Sequence, residues 1–166
     1  MLRDYLIDNS VVKFGNFTLT SGKKSDYYID IKEASTNPEI LEVLGIELSH
    51  HISSKKIAGM ELGAVPLLIS TSLQLKIPYI IIRKTERTHG TGKRYIGQIV
   101  SGEMVDVIDD VATTGGSILK SVNILRGYGA IVKNAICIVD REEGAELLMK
   151  NNNVNLISLV KISELR

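Results

Sequence analysis

The chain has 166 residues, of which 44% are hydrophobic and 23% charged, and its net charge is +1. That length predicts one domain with a sizeable core, and the charge gives no global reason to expect a nucleic acid or an acidic membrane as a partner. A single cysteine excludes an internal disulfide and a cysteine metal cluster. No apolar stretch approaches the roughly 18 residues of a membrane span, and residues 1–4 lack a signal-peptide pattern, so we expect a cytoplasmic protein.

Apolar periodicity and turn residues divide the chain into predicted elements. Residues 2–9 form a predicted short helix, and residues 11–31 a predicted extended or hairpin-like segment. Asn37 and Pro38 then supply the N-cap and the first position of a clear helix. The later elements are predicted strands at 57–60, 79–82, 98–100, 105–108, 135–139 and 156–160, and predicted helices at 65–75, 118–126 and 142–150.

This alternation predicts an α/β fold, in which a mainly parallel, twisted sheet is flanked by helices on both faces. Ligands of such sheets bind beyond the carboxyl ends of the strands. Four predicted strands end in small or charged residues: residues 61–64, Arg83 with Lys84, Asp109 with Asp110, and Asp140 with Arg141. We expect these residues to share one rim of the sheet.

The most informative segment joins two carboxylates to a loop of small residues. Asp109 and Asp110 end a predicted strand, and the loop at 112–117 leads into a helix. Backbone N–H groups and hydroxyls of such a loop suit a phosphate, as does the positive end of the helix. Adjacent like charges cost stability unless something compensates for them, which favours a functional turn over a purely structural one. The pattern predicts a sugar phosphate ligand, with its hydroxyls on the carboxylates and its phosphate on the loop.

A basic loop at 83–94 follows the predicted strand 79–82. It contains five Lys or Arg and one Glu, for a net charge of +4, and no apolar side chain. His89 adds a group that can carry charge near neutral pH. The loop is longer than a simple connection needs, so we interpret it as a lid that closes over a polyanion and excludes water.

Together these motifs resemble the type I phosphoribosyltransferases, and three segments narrow the resemblance to the orotate phosphoribosyltransferase family. Residues 14–30, F-G-N-F-T-L-T-S-G-K-K-S-D-Y-Y-I-D, are similar to that family's hood segment. Residues 83–90 resemble its flexible loop, and V-D-R at 139–141 its base-binding strand end. The resemblance covers essentially the whole chain. It implies a single domain, with a helix plus a small N-terminal hood at 1–36 and an α/β core at 37–166 that carries a flexible loop at 84–96.

The resemblance also implies a reaction. The 5-phosphoribosyl group of 5-phosphoribosyl-1-pyrophosphate (PRPP) would pass to orotate, which gives orotidine 5′-monophosphate and pyrophosphate in pyrimidine biosynthesis. Mg²⁺ would be required, held mainly by substrate oxygens and water rather than by protein ligands. The family further implies a homodimer whose flexible loop is shared between subunits.

Site residues follow from the same resemblance. The implied PRPP-binding residues are Arg83, Lys84, Arg87, His89, Asp109, Asp110, Val111, Ala112, Thr113, Thr114, Gly115, Gly116 and Ser117. The implied catalytic residues are Lys84, Arg87, His89, Asp109 and Asp110. Lys84 would meet the pyrophosphate in its own subunit, whereas Arg83, Arg87 and His89 would reach a partner's site. Thr113 and Arg141 would bind orotate, and residues 59–64 resemble the pyrophosphate loop.

Three positions depart from the family pattern. Thr20 and Gly63 stand where many bacterial relatives have lysines, and Arg87 replaces a lysine of the flexible loop. The first two changes remove cationic contacts, for which Lys23 or Lys24 could compensate. The third keeps the charge but exchanges a point charge for a planar fork.

Two other functions stay open. A purine phosphoribosyltransferase is one, although Arg141 would then lie unpaired beside a base without a carboxylate. A non-catalytic regulator that senses PRPP is the other. Such a regulator should carry a DNA-binding element, and residues 1–10 hold neither a helix-turn-helix segment nor a basic face.

Overall fold

The computed structural model describes residues 1–19, 22–90 and 92–165. Its elements in chain order are α1 (Leu2–Asp8), β1 (Val12–Thr18), β2 (Lys24–Ile29), α2 (Ile31–Ala34), α3 (Pro38–Ser49), β3 (Ile57–Met60), α4 (Ala64–Leu75), β4 (Tyr79–Ile82), β5 (Tyr95–Ile96), β6 (Asp106–Ala112), α5 (Gly116–Gly127), β7 (Asn134–Asp140), α6 (Ala145–Asn151), β8 (Asn155–Lys161) and α7 (Ile162–Leu165). Within these ranges, no helix has both the length and the apolar character needed to cross a membrane.

The central sheet has the strand order β5-β4-β3-β6-β7-β8. Its neighbouring strands are parallel except for β5, which runs antiparallel to β4 at the edge. This arrangement confirms the predicted mainly parallel sheet. It also brings the carboxyl ends of β3, β4, β6 and β7 to one edge, because parallel strands that are neighbours end on the same side.

Helices cover both faces of the sheet, as predicted. Residues 135–138 of β7 alternate between two buried clusters, because successive side chains on a strand point to opposite faces. Ile136 and Ile138 of β7 belong to the cluster that contains the buried residues of α3 and α4. Ala135 and Cys137 of the same strand belong to the cluster that contains those of α5 and α6. Burial raises the pKa of the Cys137 thiol, which supports its interpretation as a small apolar side chain.

A separate antiparallel hairpin of β1 and β2 precedes the core, followed by the short helix α2. We call β1, β2 and α2 the hood. Val12, Tyr27 and Ile31 anchor it, since all three are buried in the cluster that includes α3 and α4. The predicted N-cap is confirmed: the Asn37 side chain accepts hydrogen bonds from the first turn of α3, which begins at Pro38.

Several predicted boundaries were wrong. Residues 98–100 are not a strand, and the edge strand lies earlier, at β5. Strand β6 continues through the acidic pair to Ala112, because β7 pairs with it along that length. Helix α6 begins at Ala145 rather than at 142, after Gly144 with φ +108°. The sequence reasoning did not identify the short helices α2 and α7.

Candidate active site

The rim expected from the sequence is present. Glu61, which follows β3, donates its backbone N–H to the carbonyl of Ile82 at the end of β4. On the other side of β6, the backbone N–H of Arg141 donates to the carbonyl of Ala112. Backbone hydrogen bonds therefore join the end of β3 to that of β4 and the end of β6 to that of β7. The acidic pair lies in β6, one of the two central strands of the sheet.

Both carboxylates lie within β6 and are fixed by the backbone that follows them. Asp109 Oδ1 accepts from the Asp110 N–H at 2.9 Å, and Asp110 Oδ1 accepts from the Val111 N–H at 2.9 Å. Asp110 is 9% exposed. Burial, with a smaller contribution from the negative charge of Asp110, raises the pKa of Asp109 to about 7. Asp109 is thus poised to change its charge near neutral pH, and a ligand that needs both carboxylates must favour the ionised form of Asp109.

A lysine from the hood contacts this pair. Lys32 Nζ, on α2, lies 3.2 Å from Asp110 Oδ2. The negative charge of Asp110 raises the pKa of Lys32. Sequence reasoning missed this residue because nothing in the local pattern around Lys32 distinguishes it from a surface lysine.

Gly63 is one of the three departures from the family pattern, and the structure gives a reason for a glycine at this position. A Cβ on Gly63 would lie 2.4 Å from Asp110 Oδ2, so the carboxylate occupies the space where a side chain would begin. Thr20, the second departure, lies outside the described residues. Among the described residues, Lys32 forms an ion pair with Asp110, whereas Lys23 and Lys24 form none with either carboxylate.

The small-residue loop has the geometry expected of an anion cradle. Gly115 adopts φ +87°, and an added Cβ there would lie 3.1 Å from the backbone of Ala145, so the conformation and the limited space both favour a glycine. Helix α5 begins at Gly116 and has no side chain capping its first turn. Thr114, Gly116 and Ser117 are exposed. The free N–H groups of the first turn can therefore receive a ligand.

The basic loop is fixed at its base and exposed beyond it. The Arg83 N–H donates to the Arg94 carbonyl at 2.8 Å, and the Lys84 N–H donates to Glu61 Oε1 at 2.8 Å. The Lys84 carbonyl accepts from Lys120 Nζ at 3.2 Å. Arg83 is partly buried, whereas Lys84, Arg87 and His89 are exposed. In this single chain the structure does not bring Arg87 or His89 to the acidic pair.

A cavity of about 1520 Å³ separates the hood from the rim. Residues from both hairpin strands line one side, and the other side is formed by Asp110, Val111, Thr113, Arg141 and Glu143. Four residues predicted from the sequence therefore line one cavity, namely Asp110, Val111, Thr113 and Arg141, whereas Asp109 does not line it. None of the described loop residues from 83 to 94 lines it.

Arg141 is held in this cavity by partners that sequence reasoning missed. Its Nε donates to the Tyr27 hydroxyl at 3.0 Å and lies 2.9 Å from Glu143 Oε1. Both contacts use Nε, so neither uses the two terminal nitrogens of the guanidinium. The sequence predicted an extended or hairpin-like segment over residues 11–31, but only the fold brings Tyr27 to Arg141 after β7.

Comparison with known proteins identifies the family. The phosphoribosyl transferase domain model matches residues 39–159. The chain is 58% identical to orotate phosphoribosyltransferase of Picrophilus torridus, over all of both chains. It is 55% identical to orotate phosphoribosyltransferase of Thermoplasma volcanium, over 100% of this chain and 99% of that one.

The chain belongs to the orotate phosphoribosyltransferase family. A solved structure agrees: orotate phosphoribosyltransferase from Aeropyrum pernix superimposes with a TM-score of 0.84 at 32% identity, covering 99% of this chain and 96% of that one. The predicted family and the predicted fold class are both confirmed. The purine-specific and regulatory alternatives are not favoured.

Proposed function

We propose that this chain, as a member of the orotate phosphoribosyltransferase family, transfers the 5-phosphoribosyl group of PRPP to orotate. The products are orotidine 5′-monophosphate and pyrophosphate, in the biosynthesis of UMP. One structural observation carries the proposal: Asp110 of the acidic pair, Thr113 and Arg141 line a single cavity, beside the loop that opens α5. A phosphorylated sugar and a carboxylated base can therefore be held next to each other.

The sugar phosphate would be bound by β6 and the loop after it. Asp109 and Asp110 would accept hydrogen bonds from the ribose hydroxyls, and the loop at 113–117 would hold the 5-phosphate with its N–H and hydroxyl groups. As pyrophosphate leaves, the anomeric carbon becomes cationic. The task of the protein is then to fix the ring and to stabilise the departing anion.

Orotate would be bound by Thr113 and Arg141. Two parallel, charge-assisted hydrogen bonds from a guanidinium match the geometry of a carboxylate. The terminal nitrogens of Arg141 suit this role because Nε already anchors the group to Tyr27 and Glu143. Arg141→Ala should therefore weaken orotate binding more than PRPP binding. Equal losses for the two substrates, measured by calorimetry, would remove the basis of the assignment.

Mg²⁺ is the cofactor we propose. Within the described ranges, no three His, Cys, Asp or Glu side chains are grouped as a metal site. A hard ion at this site would therefore be bound chiefly through substrate oxygens and water. When bound, Mg²⁺ would neutralise charge on the pyrophosphate, while the acidic pair orients the ribose.

A homodimer would complete the site. The exposed loop residues Arg87 and His89 do not reach the cavity of their own chain, which supports a role in a partner's site. Leu62, Ile69 and Leu73 leave apolar side chains exposed along α4 and the turn before it, and such a surface favours association. Sedimentation of the full chain tests this proposal, and a monomer at micromolar concentration would contradict it.

Product formation tests the function directly. Purified protein should convert orotate and PRPP to orotidine 5′-monophosphate with Mg²⁺, and the rate should fall steeply when the metal is chelated. Hypoxanthine, adenine and uracil serve as competing bases, and preference for a purine would overturn the proposal. Asp110→Asn tests the role of the acidic pair in this reaction. The variant should lose turnover while its thermal unfolding stays cooperative.

A further inference from the structure

We propose that Lys32 is a positioning residue for the ribose-binding carboxylates: from the hood, its ammonium group holds Asp110 in place and supplies a positive charge to the acidic pair. This inference rests on the proposed function, because it assigns a role to Lys32 within the same site. No sequence motif pointed to Lys32. The inference follows from the contact between Lys32 of α2 and Asp110 of β6.

The contact fixes the orientation of Asp110 from two directions. Lys32 Nζ lies 3.2 Å from Oδ2, and the Val111 N–H donates to Oδ1 at 2.9 Å. The side chain of Asp110 is 12% exposed and that of Lys32 is 60% exposed. The lysine therefore covers the open side of an otherwise buried carboxylate while it remains in solvent.

Gly63 approaches the same carboxylate oxygen that Lys32 contacts. Its backbone approaches Asp110 so closely that a Cβ would lie 2.4 Å from Oδ2 and 2.7 Å from Cγ. No side chain at position 63 can occupy this space while Asp110 keeps its position. The positive charge that the loop lacks at this point arrives from Lys32 instead.

Helix α2 is held so that Lys32 can make this contact. Asp30 caps the helix, since its Oδ1 accepts from the Glu33 N–H at 3.0 Å. Ile31 is 1% exposed and anchors α2 in the core. Lys32 follows Ile31 directly. Because the cap and the buried Ile31 fix this single helical turn, Lys32 is held next to Asp110 of β6.

The balance of charge around the pair gives the contact a measurable consequence. Lys32 and Asp110 both act on Asp109, and the Cys137 thiol on β7 faces both carboxylates. Asp30, the N-cap of α2, acts on Lys32. Arg141 lines the same cavity as Asp110, and its Nε contacts Tyr27 and Glu143. Lys32 is the cation in ion-pair contact with Asp110. Removing its charge makes ionisation of the pair less favourable, so the acidic limb of the PRPP pH profile should move to higher pH.

The test uses three variants of the full chain. Lys32→Met removes the charge and keeps most of the length, Lys32→Arg keeps the charge, and Lys13→Met removes a charge from an exposed position on β1 of the hood. For each, kcat and KM for PRPP are measured between about pH 5 and pH 9 at saturating orotate. Thermal unfolding shows whether each variant is folded.

Lys32→Met should raise the KM for PRPP about threefold to tenfold and move the acidic limb up by about half a pH unit, a small shift because the lysine is exposed. Lys32→Arg should restore both quantities, and Lys13→Met should match the wild type. A Lys32→Met profile identical to the wild type would overturn the proposal. So would a lower kcat with an unmoved limb that arginine does not rescue, since this would show only a structural role.

Carboxyl titration by NMR separates this proposal from the proposed function. If the wild type formed no orotidine 5′-monophosphate, the proposed function would fail. The titration of the acidic pair in wild type and Lys32→Met would still show whether Lys32 acts on it. Superimposable titration curves would overturn the role of Lys32 independently of turnover.

Discussion

The guanidinium of Arg141 lies over the ring of Tyr27, with its central carbon 5.1 Å from the ring centroid. Its Nε also donates to the Tyr27 hydroxyl at 3.0 Å. Tyr27 belongs to the hood and Arg141 to the end of β7, so this pair joins the two sides of the cavity. A cation held over an aromatic ring and by a hydrogen bond loses much of its freedom before any ligand arrives.

Tyr27→Phe should therefore weaken orotate binding. The ring and its stacking remain, but the hydroxyl that accepts from Nε is lost, at a cost of about 1 kcal/mol or a severalfold rise in the KM for orotate. The KM for PRPP should change little. Tyr128→Phe is the matched control, since Tyr128 is exposed at the end of α5 and does not line the cavity. Equal effects of the two variants on orotate would argue against the Arg141 contact.

Asp109→Asn should change how stability depends on pH. The pKa of Asp109 is about 7 in the folded chain and about 4 in an unfolded one. Between these values the folded state binds a proton that the unfolded state has lost. The free energy of unfolding therefore falls as pH rises, with a limiting slope of about 1.4 kcal/mol per pH unit.

Asparagine cannot ionise, so the stability of Asp109→Asn should not fall in this way as pH rises. Its free energy of unfolding relative to the wild type should increase from pH 5 to pH 8, as measured by urea unfolding at each pH. Asp8→Asn, at the exposed end of α1, provides the control. A constant difference between Asp109→Asn and the wild type across this range would show that Asp109 titrates normally.

Gly63→Ala should displace Asp110. The added Cβ would lie 2.4 Å from Oδ2, so the carboxylate must move, and we expect at least a tenfold loss in kcat/KM for PRPP, equivalent to about 1.4 kcal/mol. Gly127→Ala at the end of α5 is the matched control, since nothing lies within 4 Å of the added atom. If both variants kept wild-type kinetics, Asp110 would have to be freer to move than its contacts indicate.

Mixed subunits should restore activity if the loop is shared. Arg87→Ala removes a cation of the exposed loop, and Asp110→Ala removes a carboxylate of the cavity. Each homodimer should be impaired, whereas a heterodimer has one site that receives an intact loop and an intact acidic pair. Up to about half of the wild-type activity per heterodimer should return. No recovery in heterodimers verified by mass spectrometry would indicate that each site is self-contained.

The sequence predicted the framework of the site well because its signals are local. Apolar runs predicted most of the core strands, and the glycines after Thr114 predicted the turn into α5. The acidic pair and Arg141 were then assigned to one rim, since parallel strands place their carboxyl ends together. The structure confirms that Asp110, Thr113 and Arg141 line one cavity.

The contacts that support these residues could not be predicted in the same way. Lys32 and Asp110 are far apart in the chain, and so are Tyr27 and Arg141. Whether they meet depends on how the hood packs against the core, which no periodicity encodes. Strand β5 was misplaced for a related reason: two residues are too few to give a pattern, and only pairing with β4 makes them a strand.

The closed base of the basic loop has a consequence for engineering. A backbone hydrogen bond joins Arg83 to Arg94 at the two ends of the loop. Lys84 is also hydrogen-bonded, through its N–H to Glu61 and through its carbonyl to Lys120, so both ends of the loop stay beside the sheet. Residues added near Gly90 would therefore enlarge a segment whose anchors are already set, and each doubling of its length costs only about 0.6 kcal/mol of chain entropy. The tip can accept a reporter group or a peptide insertion while the sheet stays intact.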